Sequence, residues 1–200
     1  MTALIENIYD PALVEGQSAR FIILTGCSGG GKSSLLSELA KRGFDACEEP
    51  GRQLVKEQLY IGGDALPWQN LSAFIDLTIS RSINFMIEAA KRPGVTFFDR
   101  GIIDQISGAA HAGLEPKPWF ETAVRRFRYN ETVFAVPPWR EIYQTDSERQ
   151  HGFDDAVASY EALIQSYSDY GYRVVTIPKT NVEDRADFLL KTISNRDSMQ

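Results

Sequence analysis

Short apolar runs alternate along the chain with longer stretches of mixed apolar and polar residues. The run at 21–24 stops just before Gly26, and the run at 95–98 stops at Asp99. Runs of this kind are typical of strands that are buried on both faces of a sheet. The pattern predicts five strands, at 21–24, 44–47, 95–98, 132–136 and 173–177.

The stretches between these runs carry apolar residues at steps of three and four, which is the period of an amphipathic helix. The clearest example is 70–91, where Ile75, Ile79 and Ile83 belong to one continuous apolar face. Gly43 ends an earlier helix in the manner usual for a helix C-terminus. The spacing predicts helices at 33–42, 51–60, 70–91, 102–112, 118–129, 153–170 and 182–193.

Strands that alternate with helices indicate an α/β domain, here a three-layer α/β/α domain with a five-stranded parallel sheet. In open sheets of this kind, ligands bind beyond the carboxyl ends of the strands. Gly26, the pair Glu48–Glu49, Asp99 and Pro137 all fall at such ends. We therefore expect these positions to lie together at one edge of the sheet.

Two weakly patterned segments, one at the N-terminus and one between the fourth strand and the helix after it, bear on the domain organisation. Residues 1–17 are predicted to be an N-terminal arm, and 18–200 a single domain. Within that domain the polar segment at about 140–152 is predicted to act as a lid that closes over a bound ligand.

Composition narrows the classes of partner. The 200 residues carry a net charge of −6, which argues against nucleic acid and anionic membranes as main partners. The two cysteines, Cys27 and Cys47, are too few for a disulfide framework and favour a reducing compartment. No apolar run approaches the roughly 18 residues that span a bilayer. A cytoplasmic protein is the expectation, and the oligomeric state is left open.

The segment from Gly26 to Ser33 fits the pattern G-x-x-x-x-G-K-[ST] completely. Glycines let backbone N–H groups wrap an anion, Lys32 reaches the β- and γ-phosphates, and Ser33 offers its hydroxyl to Mg²⁺. A glycine turn without a ligand is the alternative, but an apolar strand before it and an amphipathic helix after it favour a nucleoside triphosphate site. The predicted nucleotide-binding residues are Gly26, Cys27, Ser28, Gly29, Gly30, Gly31, Lys32, Ser33 and Ser34.

Asp99 ends the third predicted strand and has the form of a Walker B acid. Such an acid holds Mg²⁺ directly or through water. The alternative is an aspartate that only caps the helix after the strand. The glycine-rich loop upstream favours the metal role, so Ser33 and Asp99 are the predicted Mg²⁺ residues.

Several segments resemble thymidylate and deoxynucleoside kinases. Glu49-Pro50-Gly51 resembles a segment whose glutamate is the general base in deoxynucleoside kinases, and Asp99-Arg100 resembles their Asp-Arg or Glu-Arg pair. Arg81 is placed like the arginine that grips the acceptor, and Arg149 like the lid arginine. The resemblance implies catalytic roles for Lys32, Glu49, Asp99 and Arg149, and substrate contacts for Glu49, Arg52, Arg81 and Arg100.

A second resemblance covers about residues 19–193 and is closer. The motifs Glu-Pro-Gly-Arg-Gln (49–53), Gly-Gly-Asp-Ala-Leu-Pro-Trp (62–68) and Phe-Phe-Asp-Arg-Gly (97–101) are similar to those of the AAA-type predicted ATPases. That family is grouped with the kinase domain of nicotinamide riboside kinase. The resemblance implies a P-loop fold and ATP binding, and it leaves the second substrate open.

The roles proposed for Glu49 and the arginines each have a simpler alternative. Glu49 is either a base for an acceptor hydroxyl or a solvated acid beside Glu48. Arg52, Arg81 and Arg100 either bind a substrate anion or are ordinary exposed arginines.

Two functions are consistent with the sequence. The first is a small-molecule kinase that uses ATP and Mg²⁺ to phosphorylate an unidentified acceptor. The second is a nucleotide-dependent regulatory switch, or an accessory ATPase acting on a protein partner. The segment 178–181 lacks the Asn/Thr-Lys-x-Asp order usual for guanine recognition, which favours ATP over GTP.

Overall fold

The computed structural model describes residues 8–142 and 152–197. It contains the five predicted strands, with small shifts at their ends. The second strand begins at Asp45 instead of at residue 44, and the first extends to Gly26. The strands are β1 (Phe21–Gly26), β2 (Asp45–Cys47), β3 (Thr96–Asp99), β4 (Thr132–Val136) and β5 (Arg173–Thr176).

The helices also follow the predicted pattern. The helix expected at 118–129 ends at Arg126, because Phe127 already has non-helical backbone angles. No helix in the described ranges is long and apolar enough to cross a membrane. The helices are α1 (Lys32–Lys41), α2 (Pro50–Ile61), α3 (Leu71–Ala90), α4 (Ile102–His111), α5 (Pro118–Arg126), α6 (Phe153–Asp169) and α7 (Val182–Asp197).

All neighbouring strands are parallel, in the order β2-β3-β1-β4-β5. The predicted five-stranded parallel sheet is therefore confirmed. Its chain order reverses at β1, which has β3 on one side and β4 on the other. Reversal points of this kind open a crevice at the carboxyl ends of the strands, and it is there that ligands bind.

Alternating side chains of β1 divide the core into two layers. Phe21 and Ile23 point into a core shared with α3, α4, α5 and α6. Ile22 and Leu24 point to the other face, which packs against α1 and α7. Since β1 is completely buried on both faces, its length and direction fix the position of the loop that follows Gly26.

The structure describes part of the N-terminal arm that the sequence predicts. Residues 8–17, part of the expected arm, include a 3-10 turn at Pro11–Val14, and Val14 is buried in the core that contains α3. This part of the arm is thus packed against the domain. Of the expected lid, residues 143–151 lie outside the described residues.

Candidate nucleotide and acceptor site

The glycine-rich loop joins the carboxyl end of β1 to the start of α1, as the sequence predicts. Gly31 adopts a left-handed conformation with φ +81° and precedes the first helical residue, Lys32. A left-handed turn at this point is readily adopted only by glycine. It aims the free N–H groups at the start of α1 into the crevice above the sheet.

Lys32 is buried under this loop. Its Nζ donates hydrogen bonds to the backbone oxygens of Gly26 (3.2 Å) and Cys27 (3.0 Å). Burial, assisted by the charge of Arg100, lowers the pKa of Lys32 to about 8. Burial of this cation is costly although the charges of Asp99, Glu49 and Asp104 favour it, and an anion in the loop would stabilise it further.

Asp99 ends β3 beside Lys32 and is 4% exposed. Burial, more than any neighbouring charge, raises its pKa above the ordinary value. Its buried Oδ1 has no hydrogen-bond partner among the described residues. Buried carboxylate oxygens are usually satisfied, so this one is free to accept a water or a cation. Asp99 and Ser33 line one cavity of about 240 Å³.

Ser33 and Asp99 therefore fit the Mg²⁺ role predicted for them. No cluster of three or more acid, histidine or cysteine side chains within 8–142 and 152–197 is arranged to hold a metal by itself. Mg²⁺ is commonly bound by one or two protein oxygens together with substrate phosphates. The residues present match that kind of shared site.

Arg100 has the only left-handed backbone among the non-glycine residues described, with φ +70°. Its Nε donates to Glu49 Oε1 at 3.0 Å, and its Nη1 donates to Asp104 Oδ1 at 3.1 Å. Burial alone would lower the pKa of Arg100, but Glu49, Asp104 and Asp99 raise it. Conformations of this kind are retained where surrounding contacts hold them, and they cluster at functional sites.

Asp104 is a site residue that the sequence analysis missed. It lies in the first turn of α4, and its Oδ1 also accepts from Thr25 Oγ1 at 2.6 Å. Its Oδ2 accepts from the Gly101 N–H at 2.8 Å and from the Tyr167 hydroxyl at 2.5 Å. Its position three residues after Gly101 marks it as a helix-capping acid, but only the fold brings Tyr167 and Thr25 to it.

Glu49 lies just before α2 and faces the loop. Arg52 donates to its Oε2 at 3.1 Å while Arg100 holds its Oε1. Burial raises the pKa of Glu49, but the charges of Arg100, Lys32 and Arg52 outweigh it and leave the pKa below the ordinary value. Glu49 is therefore ionised at neutral pH and can accept a proton.

A second cavity, of about 260 Å³, also borders Glu49. Glu49 and Arg52 line both this cavity and the one that contains Ser33 and Asp99. Trp68, 63% exposed, contributes an aromatic surface to the second cavity. The other lining residues are Ser28, Gly51, Val55, Pro67, Phe74, Arg100, Asp104 and Gln105.

One described residue of the predicted site, Arg81, is not part of this cluster. Arg81 forms a paired ion bridge with Glu57, with distances of 2.5 and 2.8 Å to its carboxylate oxygens, and does not line either cavity. Its acceptor role stays a prediction. Arg149 lies outside the described residues. Ser34, which follows Ser33, is exposed on α1.

The sheet order, the glycine-rich loop between β1 and α1 and the acid at the end of β3 define a P-loop fold of the nucleoside and nucleotide kinase type. The family model described as AAA domain matches residues 21–185, and the chain belongs to that family. A comparison with curated proteins gives no match.

Solved structures with this fold include kinases. NadR protein in complex with NR matches with a TM-score of 0.69 and 15% identity, over 92% of this chain and 52% of NadR. Thymidylate kinase from Ehrlichia chaffeensis matches with a TM-score of 0.57 and 15% identity, over 88% of this chain and 99% of its own. Deoxyadenosine kinase from M. mycoides with bound dATP matches with a TM-score of 0.53 and 13% identity, over 88% of this chain and 99% of its own. The chain thus spans about half the length of NadR and nearly all of the other two.

Proposed function

We propose that this protein is a small-molecule kinase that transfers the γ-phosphoryl group of ATP to a hydroxyl or phosphate oxygen of a nucleoside-like metabolite. The observation that carries the proposal is the position of Glu49. It is ionised, it is held by two arginines, and it stands between the cavity at Ser33 and Asp99 and the cavity at Trp68. A base at such a boundary can act on an acceptor while facing the donor.

The donor side is formed by the loop residues and by Lys32. The N–H groups of the loop and of the start of α1 would bind the phosphates, and the Lys32 ammonium would neutralise their charge. Ser33 and Asp99 would hold Mg²⁺, which supplies further charge neutralisation at the phosphates. This chain's own residues therefore stabilise the negative charge that develops during transfer.

The acceptor side combines aromatic and charged groups. Trp68 and Phe74 offer flat surfaces suited to a ring, and Glu49 offers an oxygen for the acceptor O–H. In the proposed reaction Glu49 takes the proton of an acceptor hydroxyl, and the acceptor oxygen bonds to the γ-phosphorus. The bond from that phosphorus to the β–γ bridging oxygen breaks and ADP departs. The nucleoside and nucleotide ligands of the similar structures support an acceptor of this class.

The test is the release of ADP from MgATP with and without a panel of nucleosides, nucleotides and vitamin ribosides. The Lys32→Ala variant, which lacks the ammonium beside the phosphates, serves as the blank. We expect one compound to raise turnover at least about a hundredfold, since orienting the acceptor removes much of the entropic barrier. Slow turnover that no compound changes would contradict the kinase and favour a regulatory switch or an accessory ATPase.

A further inference from the structure

A buried arginine from α7 touches the outside of the glycine-rich loop. Arg185 is 3% exposed, and its Nη2 donates to the backbone oxygen of Gly30 at 3.0 Å. A Cβ built on Gly31 would lie 2.7 Å from its Nη1, so the guanidinium is in close contact with the loop backbone. No motif in the sequence marks this residue, which lies about 150 positions after the loop.

The charge of Arg185 lacks a counter-charge in the described part of the chain. None of the ion pairs there includes it, and its buried Nε has no hydrogen-bond partner. Burial lowers its pKa, and no carboxylate opposes that effect. The acid one residue before it, Asp184, accepts hydrogen bonds from Thr180 and Asn181 instead. Buried charges are normally paired, so a bound anion near the loop would stabilise the charge of Arg185.

The contact with Gly30 has a consequence on the inner side of the loop. In a trans peptide unit the C=O and N–H groups point in opposite directions. The Gly30 oxygen faces Arg185, so the Gly31 N–H of the same peptide unit faces away from it, towards the side on which the loop would hold phosphate. A cationic donor on the carbonyl polarises the peptide unit and makes that N–H a stronger donor to an anion.

Arg185 also contacts the segment that leaves β4. Its guanidinium lies 5.9 Å from the centre of the Trp139 ring, a cation–π distance. The side chain is thus fixed between Trp139 and Gly30, and its charge cannot move away from the loop. Positions fixed in this way are suited to a pre-arranged electrostatic role.

We propose that Arg185 is a nucleotide-recognition residue whose charge, acting across the Gly30–Gly31 peptide unit, makes the loop prefer triphosphate over diphosphate and monophosphate. The proposal rests on the nucleotide site of the proposed function and states how that site distinguishes nucleotides with different numbers of phosphate groups. The backbone of a P-loop cradles the β- and γ-phosphates, so the number of phosphate groups close to the Gly31 N–H decreases from ATP to ADP to AMP, and the local Coulomb attraction decreases with it. Removal of the cation is therefore expected to weaken ATP binding most, ADP binding less and AMP binding least.

The test is calorimetric titration of the full chain with MgATP, MgADP and AMP. Arg185→Gln is expected to weaken MgATP binding at least about tenfold, MgADP binding about threefold and AMP binding hardly at all. Arg185→Lys keeps the charge and is expected to retain the preference of the parent chain for ATP over ADP within about threefold. Thermal unfolding of each variant checks that it is folded.

Arg42→Gln is the matched control. Arg42 also joins α7 to α1, through Asp187, but it pairs with acids at the surface and does not touch the loop. It should leave all three affinities unchanged. Equal losses for ATP, ADP and AMP in Arg185→Gln would mean a purely structural role and overturn the proposal. A folded Arg185→Lys variant without the preference for ATP would overturn it as well. If the parent chain binds no nucleotide, the proposed function itself fails.

Discussion

At the scale of single residues, the site depends on how Arg100 is held. Its left-handed backbone turns the side chain between Glu49 and Asp104, which together fix both ends of the guanidinium. Asp104 in turn is fixed by Thr25 and Tyr167. The orientation of the proposed base therefore depends on a second carboxylate, that of Asp104, which is linked to Glu49 through Arg100.

Asp104→Asn tests this dependence. An amide keeps the shape but loses the charge, and its NH₂ group would face donors that now approach the carboxylate. We expect a loss of stability of about 3–5 kcal/mol, as for other broken buried pairs. We also expect kcat to fall at least about tenfold, because Arg100 and Glu49 lose their fixed orientation. The measurements are urea unfolding and steady-state kinetics with the best acceptor.

Two control measurements distinguish a loss of positioning at Glu49 from a general loss of folding. The affinity for MgATP in Asp104→Asn should fall less than kcat does, because Asp104 contacts the start of the loop only through Thr25. Asp45→Asn removes a surface partner of Arg92 and should change neither stability nor turnover appreciably. Turnover equal to that of the parent chain in folded Asp104→Asn would show that the network does not position Glu49.

At the scale of elements, the contact between β1 and β4 determines where the loop begins. Gly26 pairs with Val136 in the sheet and has φ +110°. A Cβ at this position would lie 2.3 Å from the Val136 backbone oxygen. The glycine is therefore needed for the close approach of two strands as well as for the turn into the loop.

Gly26→Ala is expected to destabilise the fold more than Gly94→Ala. Gly94 also has a positive φ, +90°, but nothing lies within 4 Å of an added Cβ there. The strained backbone alone costs about 1–3 kcal/mol. The clash with Val136 should add several kcal/mol at Gly26, because backbone atoms of a buried strand cannot move away. Urea unfolding of both variants gives the comparison, and equal costs would contradict the account.

Periodicity predicted the central strands β1, β3 and β4 well because each is short and buried and ends at, or just before, Gly, Asp or Pro. The same pattern placed Glu49 and Asp99 at one edge of the sheet, since each follows or ends a buried parallel strand. It could not find Asp104 or Arg185, because their partners are distant in sequence and meet only through packing of α4, α6 and α7. The pattern also did not indicate that Arg81 pairs with Glu57 on the neighbouring helix α2, and only a resemblance predicted Arg81 as a site residue.

At the scale of the whole molecule, two cavities share one wall. Glu49 and Arg52 belong to both, with the expected metal residues on one side and Trp68 on the other. The sequence analysis predicted a donor site from its motif, but the volume and lining of the acceptor cavity depend on how α2 and the loop before α3 pack. The arrangement supports the proposed transfer, in which Glu49 would act as the base between two bound ligands.

The fate of the γ-phosphoryl group tests this account most directly. With γ-labelled MgATP and the best acceptor, we expect the label to appear on the acceptor and hardly at all as inorganic phosphate. Glu49→Gln should lower this transfer at least about a hundredfold, whereas Glu88→Gln, a change in an exposed acid of α3 that lines neither cavity, should not. Label released only as inorganic phosphate, or transfer by Glu49→Gln at the parent rate, would contradict the account.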